Sequence, residues 1–232
     1  KSKDTSTPKS ENEMLCIDPM VGLPRSIQGN VCAHMVKNAH TKVVRAYPNS
    51  RNRTQEWIRS LTDTMIKCGM KQGTTVTGPK YVQSDSDPVA TSKEMLDWLA
   101  ENGIKQRKSA PYCKWSNWWI ERSTRTVWGT ALAMLFAAPL DALGFPREQL
   151  WDEALKYACF MDSIMPDAKG KTAWFRERQE EFNYELIKAA WGSKCAVTQP
   201  KETRSGKVVP HTRLGYFMGF EETCPPGTCR VF

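Results

Sequence analysis

Long apolar runs are missing from this chain of 232 residues. A membrane-spanning helix needs roughly 20 consecutive apolar residues. The best candidate, residues 131–143, is interrupted by Pro139 and Asp141. Residues 1–12 are polar and lack the apolar stretch of a secretory signal peptide. The sequence therefore predicts a protein without a membrane span.

Histidine is scarce, and the cysteines are not arranged as a framework. The chain has three histidines and eight cysteines, and only Cys224 and Cys229 lie close together. Their spacing permits half of a zinc site, but no second pair of ligands is nearby. We therefore expect reduced thiols rather than a zinc site or a set of disulfides.

The residues that are present describe an ordinary folded protein. Hydrophobic residues make up 40% of the chain and charged residues 25%, which excludes wholesale disorder. The net charge is +8, and residues 1–116 hold 18 Lys or Arg against 11 Asp or Glu. This basic half favours a polyanionic partner such as nucleic acid, although a surplus of this size also occurs on solvated surfaces.

Hydrophobic periodicity predicts strands and helices in alternation. The predicted strands cover residues 14–17, 31–37, 41–47, 80–83, 104–109, 195–198 and 213–220. The predicted helices cover residues 53–68, 91–103, 117–138, 146–165 and 174–190. We therefore predict an α/β fold with a mixed five-stranded sheet flanked by helices. A polar linker over residues 1–12 would precede a core over 13–190 and a small β-rich segment over 191–232.

Three carboxylates stand where this order brings the ends of elements together. Asp18 ends the first predicted strand, Asp85 follows the fourth, and Glu121 lies in the first turn of the long helix. If they converge, they could hold two divalent cations about 3.5–4 Å apart for phosphoryl transfer. Each also has a simpler explanation as a polar strand end, a turn former or a helix N-terminal acid.

The stretch over residues 81–127 resembles the integrase core of copia-type retrotransposons. The residues that match that family's motifs, in order, are Ser84-Asp85, Gly103-Ile104, Ser109-Ala110-Pro111-Tyr112, Asn117, Glu121-Arg122 and Arg125-Thr126. Residues 15–18 with Gly22 and Pro24 resemble the family's first-aspartate segment. Later matches are Trp151, Ala154, Met165-Pro166 and residues 213–220. The resemblance extends from residue 12 to near the end of the chain.

This resemblance implies a ribonuclease H-like fold and a polynucleotidyl transferase that joins the 3′ ends of element DNA to a target strand. Asp18, Asp85 and Glu121 match the family's catalytic and metal-binding residues, with Mg²⁺ or Mn²⁺ as the cofactor. It further implies DNA as a partner, assembly as a homo-oligomer and action in the nucleus. Residues 1–12 resemble the linker after the family's zinc-binding domain.

Basic and aromatic residues near this predicted site are the candidates for contacts with DNA or with protein. The candidate DNA-binding residues are Asn117, Arg122, Lys105, Arg107, Lys108 and Lys114. For the basic residues of this set, a charged and solvated sheet edge is the simpler explanation. Trp118 and Trp119 are interface candidates, because adjacent residues of a helix cannot both face one core.

Several positions depart from the family pattern. Ser86, Asp87 and Pro88 stand where the family has Asn-Gly-Gly, and Trp118 replaces a glycine before the glutamate. Loss of glycine removes conformational freedom from both loops. A second hypothesis is therefore a catalytically inactive, repurposed relative that acts as a structural subunit of a larger complex. A third is a ribonuclease H-like nuclease that cleaves without joining strands.

Overall fold

The computed structural model describes residues 13–85, 87–108, 118–140, 144–198, 211–221 and 227–232, with the backbone alone for Lys108. The strands are β1 (Met14–Met20), β2 (Cys32–Asn38), β3 (Val44–Asn49), β4 (Lys71–Gln72), β5 (Thr75–Val76), β6 (Tyr81–Ser84), β7 (Lys105–Lys108), β8 (Lys194–Thr198), β9 (Thr212–Phe220) and β10 (Cys229–Val231). The helices are α1 (Thr54–Lys67), α2 (Lys93–Glu101), α3 (Trp118–Ala137), α4 (Trp151–Ile164) and α5 (Ala173–Arg178). Short 3₁₀ helices cover Arg147–Leu150 and Tyr184–Leu186.

The central sheet has five strands in the order β3-β2-β1-β6-β7. The pairs β1/β2 and β2/β3 are antiparallel, whereas β6 is parallel to both β1 and β7. The parallel strands are joined by crossovers that contain helices, as such connections require. The predicted mixed five-stranded sheet is confirmed.

Alternation along each strand divides the core between the two faces of the sheet. Leu15, Ile17 and Val82 point to the face that α1 and α2 cover. Met14 and Cys16 point to the opposite face, where they join a larger core built on α3 and α4. Even-numbered residues of β1 therefore face α3.

The first strand is longer than predicted. The sequence predicted that it ends at Asp18-Pro19, but β1 continues to Met20, with Pro19 paired to His34 of β2. The pairing of β1 with β6 is registered only from Met14 to Cys16. Pro19 lies beyond that pairing, so its missing N–H costs no hydrogen bond of the ladder.

The predicted helix over residues 174–190 is confirmed only as far as Arg178, and its remainder is wrong. Gln179 has a left-handed φ of 58° and ends α5 after one and a half turns, its N–H bonded to the Phe175 carbonyl. The chain then turns so that Phe182 is buried against the rings of Phe160 and Trp174. Burial of this aromatic residue outweighs the helical periodicity of the segment.

The C-terminal strands form a second sheet, in the order β10-β9-β8. The predicted strands over residues 195–198 and 213–220 are confirmed, and β10 was not predicted. Trp191 and Phe217 are buried in the same core as α3 and α4. Gly192, at a φ of +77°, fits against Ala138 just after α3. The tail sheet is therefore packed on the core.

Two further expectations concern the cysteines and the membrane. The described cysteines are free thiols, as expected, and Cys229 is exposed. Cys224 lies outside the described residues, as do residues 1–12. No helix in the described part of the chain is both long and apolar enough to span a bilayer.

Candidate functional site

Asp18 lies on β1, and Asp85 comes directly after β6, the neighbouring parallel strand. The last registered pair of β1 and β6 is Cys16 with Gln83, and each aspartate follows its member of that pair by two residues. Neighbouring strands are about 4.8 Å apart. By alternation, Asp18 shares the α3-facing side of β1 with Met14 and Cys16.

Glu121 lies in the first turn of α3, which packs on the same face of the sheet as Asp18. The buried residues Ile120 and Val127 seat α3 on the sheet, next to Cys16 and Met35. The Lys37 Nζ on β2 donates to the Trp119 carbonyl at 3.1 Å and to the Ser123 Oγ at 2.7 Å. These contacts hold the first turn of α3 against the sheet, while Glu121 itself is exposed.

The carboxyl group of Asp18 lies within electrostatic reach of the other predicted acids. Burial raises its pKa, and the carboxylates of Asp85, Glu121 and Asp87 raise it further, to about 6. A carboxyl group shifts in this way when like charges surround it and water does not fully screen them. The structure thus brings the three predicted acids together and adds Asp87.

The donor set suits a hard divalent cation. Carboxylate oxygens are the ligands that Mg²⁺ and Mn²⁺ prefer, and a cation would neutralise the charge that raises the pKa of Asp18. Within the described residues, however, no three Asp, Glu, His or Cys side chains are grouped tightly enough to hold a metal. Metal binding here requires the carboxylates to move closer together.

The turn after β6 uses the side chains of two aspartates. The Asp87 N–H donates to the Asp85 Oδ1 at 3.1 Å, and the Val89 N–H donates to the Asp87 Oδ1 at 2.7 Å. Ser86 lies outside the described residues. One oxygen of Asp85 therefore stabilises the turn that replaces the glycine loop of the family pattern.

The basic candidates are distributed along β7, an edge strand of the sheet. Lys105 and Arg107 are exposed and pair with Tyr81 and Gln83 of β6. The Arg107 guanidinium also lies over the Tyr81 ring at 4.0 Å. The backbone of Lys108 pairs with Ser84, next to Asp85. These positions form a basic edge that ends beside the acids.

The remaining candidates lie around the start of α3. Arg122 is exposed, one residue after Glu121. Trp118 and Trp119 are both half-buried, and their rings pack against each other with centroids 4.3 Å apart. The two indoles therefore cover one another instead of dividing between core and solvent. Asn117 and Lys114 lie outside the described residues.

Sequence reasoning missed Lys37 as part of this site. Lys37 is only 8% exposed, inside a strand whose other residues are also buried. A single lysine at the end of an apolar run was the signal that could have revealed it, because a buried ammonium needs acceptors nearby.

Comparisons with known proteins support this fold. No protein-family model matches the chain. Over 145 residues, or 59% of the chain, it is 26% identical to the retrovirus-related Pol polyprotein from transposon TNT 1-94 of Nicotiana tabacum. The chain spans about a tenth of the length of that polyprotein, since the match covers 10% of it.

Solved structures of viral integrases match the architecture. The HTLV-2 integrase catalytic core domain, in complex with magnesium, covers 71% of this chain and 94% of its own, with a TM-score of 0.52 and 16% identity. A chain of the simian T-cell lymphotropic virus intasome, in complex with the PP2A regulatory subunit B56 gamma, covers 95% of this chain and 78% of its own, with a TM-score of 0.55 and 15% identity.

A third match is the catalytic core domain of BIV integrase, with a TM-score of 0.52 and 14% identity over 72% of this chain. In each case the likeness extends over most of the matched domain. The chain is therefore built on the ribonuclease H-like core of the integrases.

Proposed function

We propose that this chain is the catalytic core of a copia-type retrotransposon integrase, which joins the 3′ ends of element DNA to target DNA by phosphoryl transfer. The convergence of Asp85, Glu121 and Asp87 on the half-buried Asp18 carries the proposal. A cluster of carboxylates destabilises the metal-free fold by mutual repulsion, and a site for cations accounts for its presence.

Each acid has a separate part in this proposal. Asp18 and Asp85 would hold the divalent cations from two neighbouring strands, and Glu121 would complete the set from α3. When bound, two cations would neutralise the phosphate and activate the attacking hydroxyl. Burial of Asp18 keeps water from screening the charges there, which strengthens their attraction for a cation.

The basic edge supports DNA as the substrate. Lys105 and Arg107 are exposed along β7, and that strand ends beside the acids. Cations at this spacing would contact the phosphates of a strand that leads into the site. The proposal includes assembly as a homo-oligomer on the DNA ends and action in the nucleus, both of which follow from the family resemblance.

A strand-transfer assay with Asp85→Asn tests this function. The asparagine keeps an oxygen to accept from the Asp87 N–H, so the turn is retained while the charge is lost. We expect no joining of labelled element ends by this variant with Mg²⁺ or Mn²⁺. Asp97→Asn on the exposed side of α2 is the matched control and should join like the original chain. Equal joining by Asp85→Asn would exclude the proposed mechanism.

The turn after β6 favours a second candidate, a catalytically inactive integrase-fold subunit of a larger complex. Asp85 already accepts a hydrogen bond from Asp87, and Pro88 stiffens the turn. In that case the chain would bind no divalent cation at these acids. Asp85→Asn would then change neither cation binding nor assembly with the partner proteins.

A further inference from the structure

Lys37 makes an unusual connection between the sheet and α3. It lies on β2 beside Cys16 of β1 and is 8% exposed. Its Nζ donates to the Trp119 carbonyl and to the Ser123 Oγ, at 3.1 and 2.7 Å. Glu121 lies midway between these two residues in sequence, so both contacts flank the proposed metal ligand.

This arrangement is electrostatically unfavourable for the fold. Burial lowers the pKa of Lys37, and the charges of Lys42 and Arg122 lower it further, whereas Asp162 of α4 raises it. The N-terminal end of a helix carries a partial positive charge, so a cation against the first turn of α3 is repelled. Stability alone does not explain why an ammonium is placed here.

The hydrogen bonds of α3 do not require Lys37 either. The Ser123 Oγ donates to the Trp119 carbonyl at 3.2 Å, so both acceptors keep a partner if the ammonium is removed. An unbranched apolar side chain of similar length would fill the space between β2 and α3. The remaining role is geometric, because two directed contacts fix the rotation of the first turn.

We propose that Lys37 is a positioning residue that fixes the first turn of α3 and thereby directs Glu121 toward Asp18 and Asp85. This inference rests on the proposed function, because the orientation of Glu121 matters only if Glu121 binds a metal ion. The residue touches neither substrate nor metal and acts through the helix.

The test compares Lys37→Met and Ser123→Ala with Lys93→Met in the full chain. Lys93 carries the same side chain but is exposed at the start of α2, a helix that packs on the opposite face of the sheet from α3. Mn²⁺ affinity is measured by calorimetry, and amide hydrogen exchange is followed along α3. Thermal unfolding is recorded for each variant.

We expect Lys37→Met to weaken Mn²⁺ binding about tenfold, since one charged hydrogen-bonding group is lost. Exchange of the amides that donate to the first-turn carbonyls of α3, such as that of Ser123, should become faster by a similar factor. Exchange near Ala131 and Leu135 and the unfolding temperature should change little. Ser123→Ala should change Mn²⁺ affinity and amide exchange in the same direction but by less, and Lys93→Met should change neither.

Unchanged Mn²⁺ affinity and exchange in Lys37→Met would overturn the proposal, as would faster exchange spread evenly over β2 and all of α3. If Lys37→Met does not fold, Ser123→Ala decides by the same criteria. If the original chain binds no Mn²⁺, the proposed function fails instead. The exchange comparison then decides whether Lys37 orders the first turn.

Discussion

Asp18 on β1 and Asp85 directly after the neighbouring parallel strand β6 each lie two residues beyond the registered pair of Cys16 and Gln83. The carboxyl ends of parallel strands meet at the same edge of a sheet. The third acid, Glu121, is brought near that edge by α3. This relationship makes the two aspartates repel each other in the metal-free protein, and the first prediction tests that repulsion.

Asp18→Asn should stabilise the metal-free chain at pH 7 by roughly 2 kcal/mol, because it removes a half-buried charge from among like charges. Burial and the neighbouring carboxylates raise the pKa of Asp18 from 3.8 to about 6. Urea unfolding with a chelator measures the free energy of unfolding. Asp97→Asn, which changes an exposed carboxylate of α2, is the control and should have little effect.

The increase in the free energy of unfolding that Asp18→Asn produces should depend on pH. Because the folded pKa lies above the unfolded one, the ionisation cost of Asp18 is fully present above about pH 6 and vanishes below about pH 4. The difference between Asp18→Asn and the original chain should therefore shrink as the pH falls from 7 to 4. A variant that is less stable at pH 7 would contradict this account.

The sequence was enough to predict the sheet and to select the three acids. Periodicity located all five strands of the central sheet, and the motif spacing chose Asp18, Asp85 and Glu121 among 25 acidic residues. The sequence did not predict that β1 continues through Pro19. A proline is tolerated there only because the pairing of β1 with β6 has already ended. That information belongs to the tertiary structure.

His34 should take up a proton at a lower pH in the folded protein than in the unfolded chain. The Trp57 Nε1 donates to the Asn52 Oδ1 at 2.7 Å, so that oxygen can only accept from the imidazole Nε2 at 3.2 Å. The Nδ1 lies 3.2 Å from the Asn49 Nδ2 and 3.1 Å from the Ser60 Oγ, and in the neutral ring with a proton on Nε2 it accepts. Burial lowers the pKa of His34.

An NMR titration of the His34 imidazole tests this arrangement. Because unfolded histidine takes up a proton near pH 6.5 and folded His34 does so only at a lower pH, folding should lose stability as the pH falls through that value. A measured pKa at or above 6.5 in the folded chain would contradict this prediction.

Glu177→Gln should destabilise the fold by roughly 3 kcal/mol, because it leaves a buried arginine without its counter-charge. The Arg45 Nη2 of β3 lies 2.6 Å from the Glu177 Oε2 of α5, and both side chains are about nine-tenths buried. The Cys68 Sγ donates to the other oxygen of Glu177 at 3.3 Å. Thermal unfolding measures the loss.

Two further variants check the cause of that loss. Glu185→Gln, on an exposed 3₁₀ turn nearby, should change the unfolding temperature very little. Replacing Arg45 and Glu177 together by methionine should cost less than Glu177→Gln, since no charge is then left buried alone. A double variant as unstable as the single one would indicate that packing, and not charge, dominates here.

Gly192→Ala should destabilise the chain by roughly 2–3 kcal/mol, because the tail sheet is seated closely on the end of α3. An added Cβ at Gly192 would overlap the Cβ of Ala138, and the φ of +77° disfavours any side chain. Gly129→Ala is the control, since this helical glycine has open space around it. The control should raise the unfolding temperature slightly. An unaffected Gly192→Ala chain would mean that the tail is not packed there.

Other features of the site were beyond sequence reasoning for physical reasons. From the sequence alone, Lys37 is expected to be an exposed strand residue. It is buried because α3 packs over it, and its contacts join residues more than 80 positions apart. The mutual packing of Trp118 and Trp119 depends on the rotamers of both rings. The early end of α5 depends on the left-handed Gln179 and on the burial of Phe182. Local patterns do not carry such long-range information.

Calorimetry of Mn²⁺ binding to the chain and to Asp85→Asn tests the central claim most directly. The account predicts that the original chain binds Mn²⁺ and that Asp85→Asn, which keeps the turn but loses the charge, binds it at least about tenfold more weakly. Equal binding by both chains, or no binding by either, would contradict a metal site at Asp18, Asp85 and Glu121.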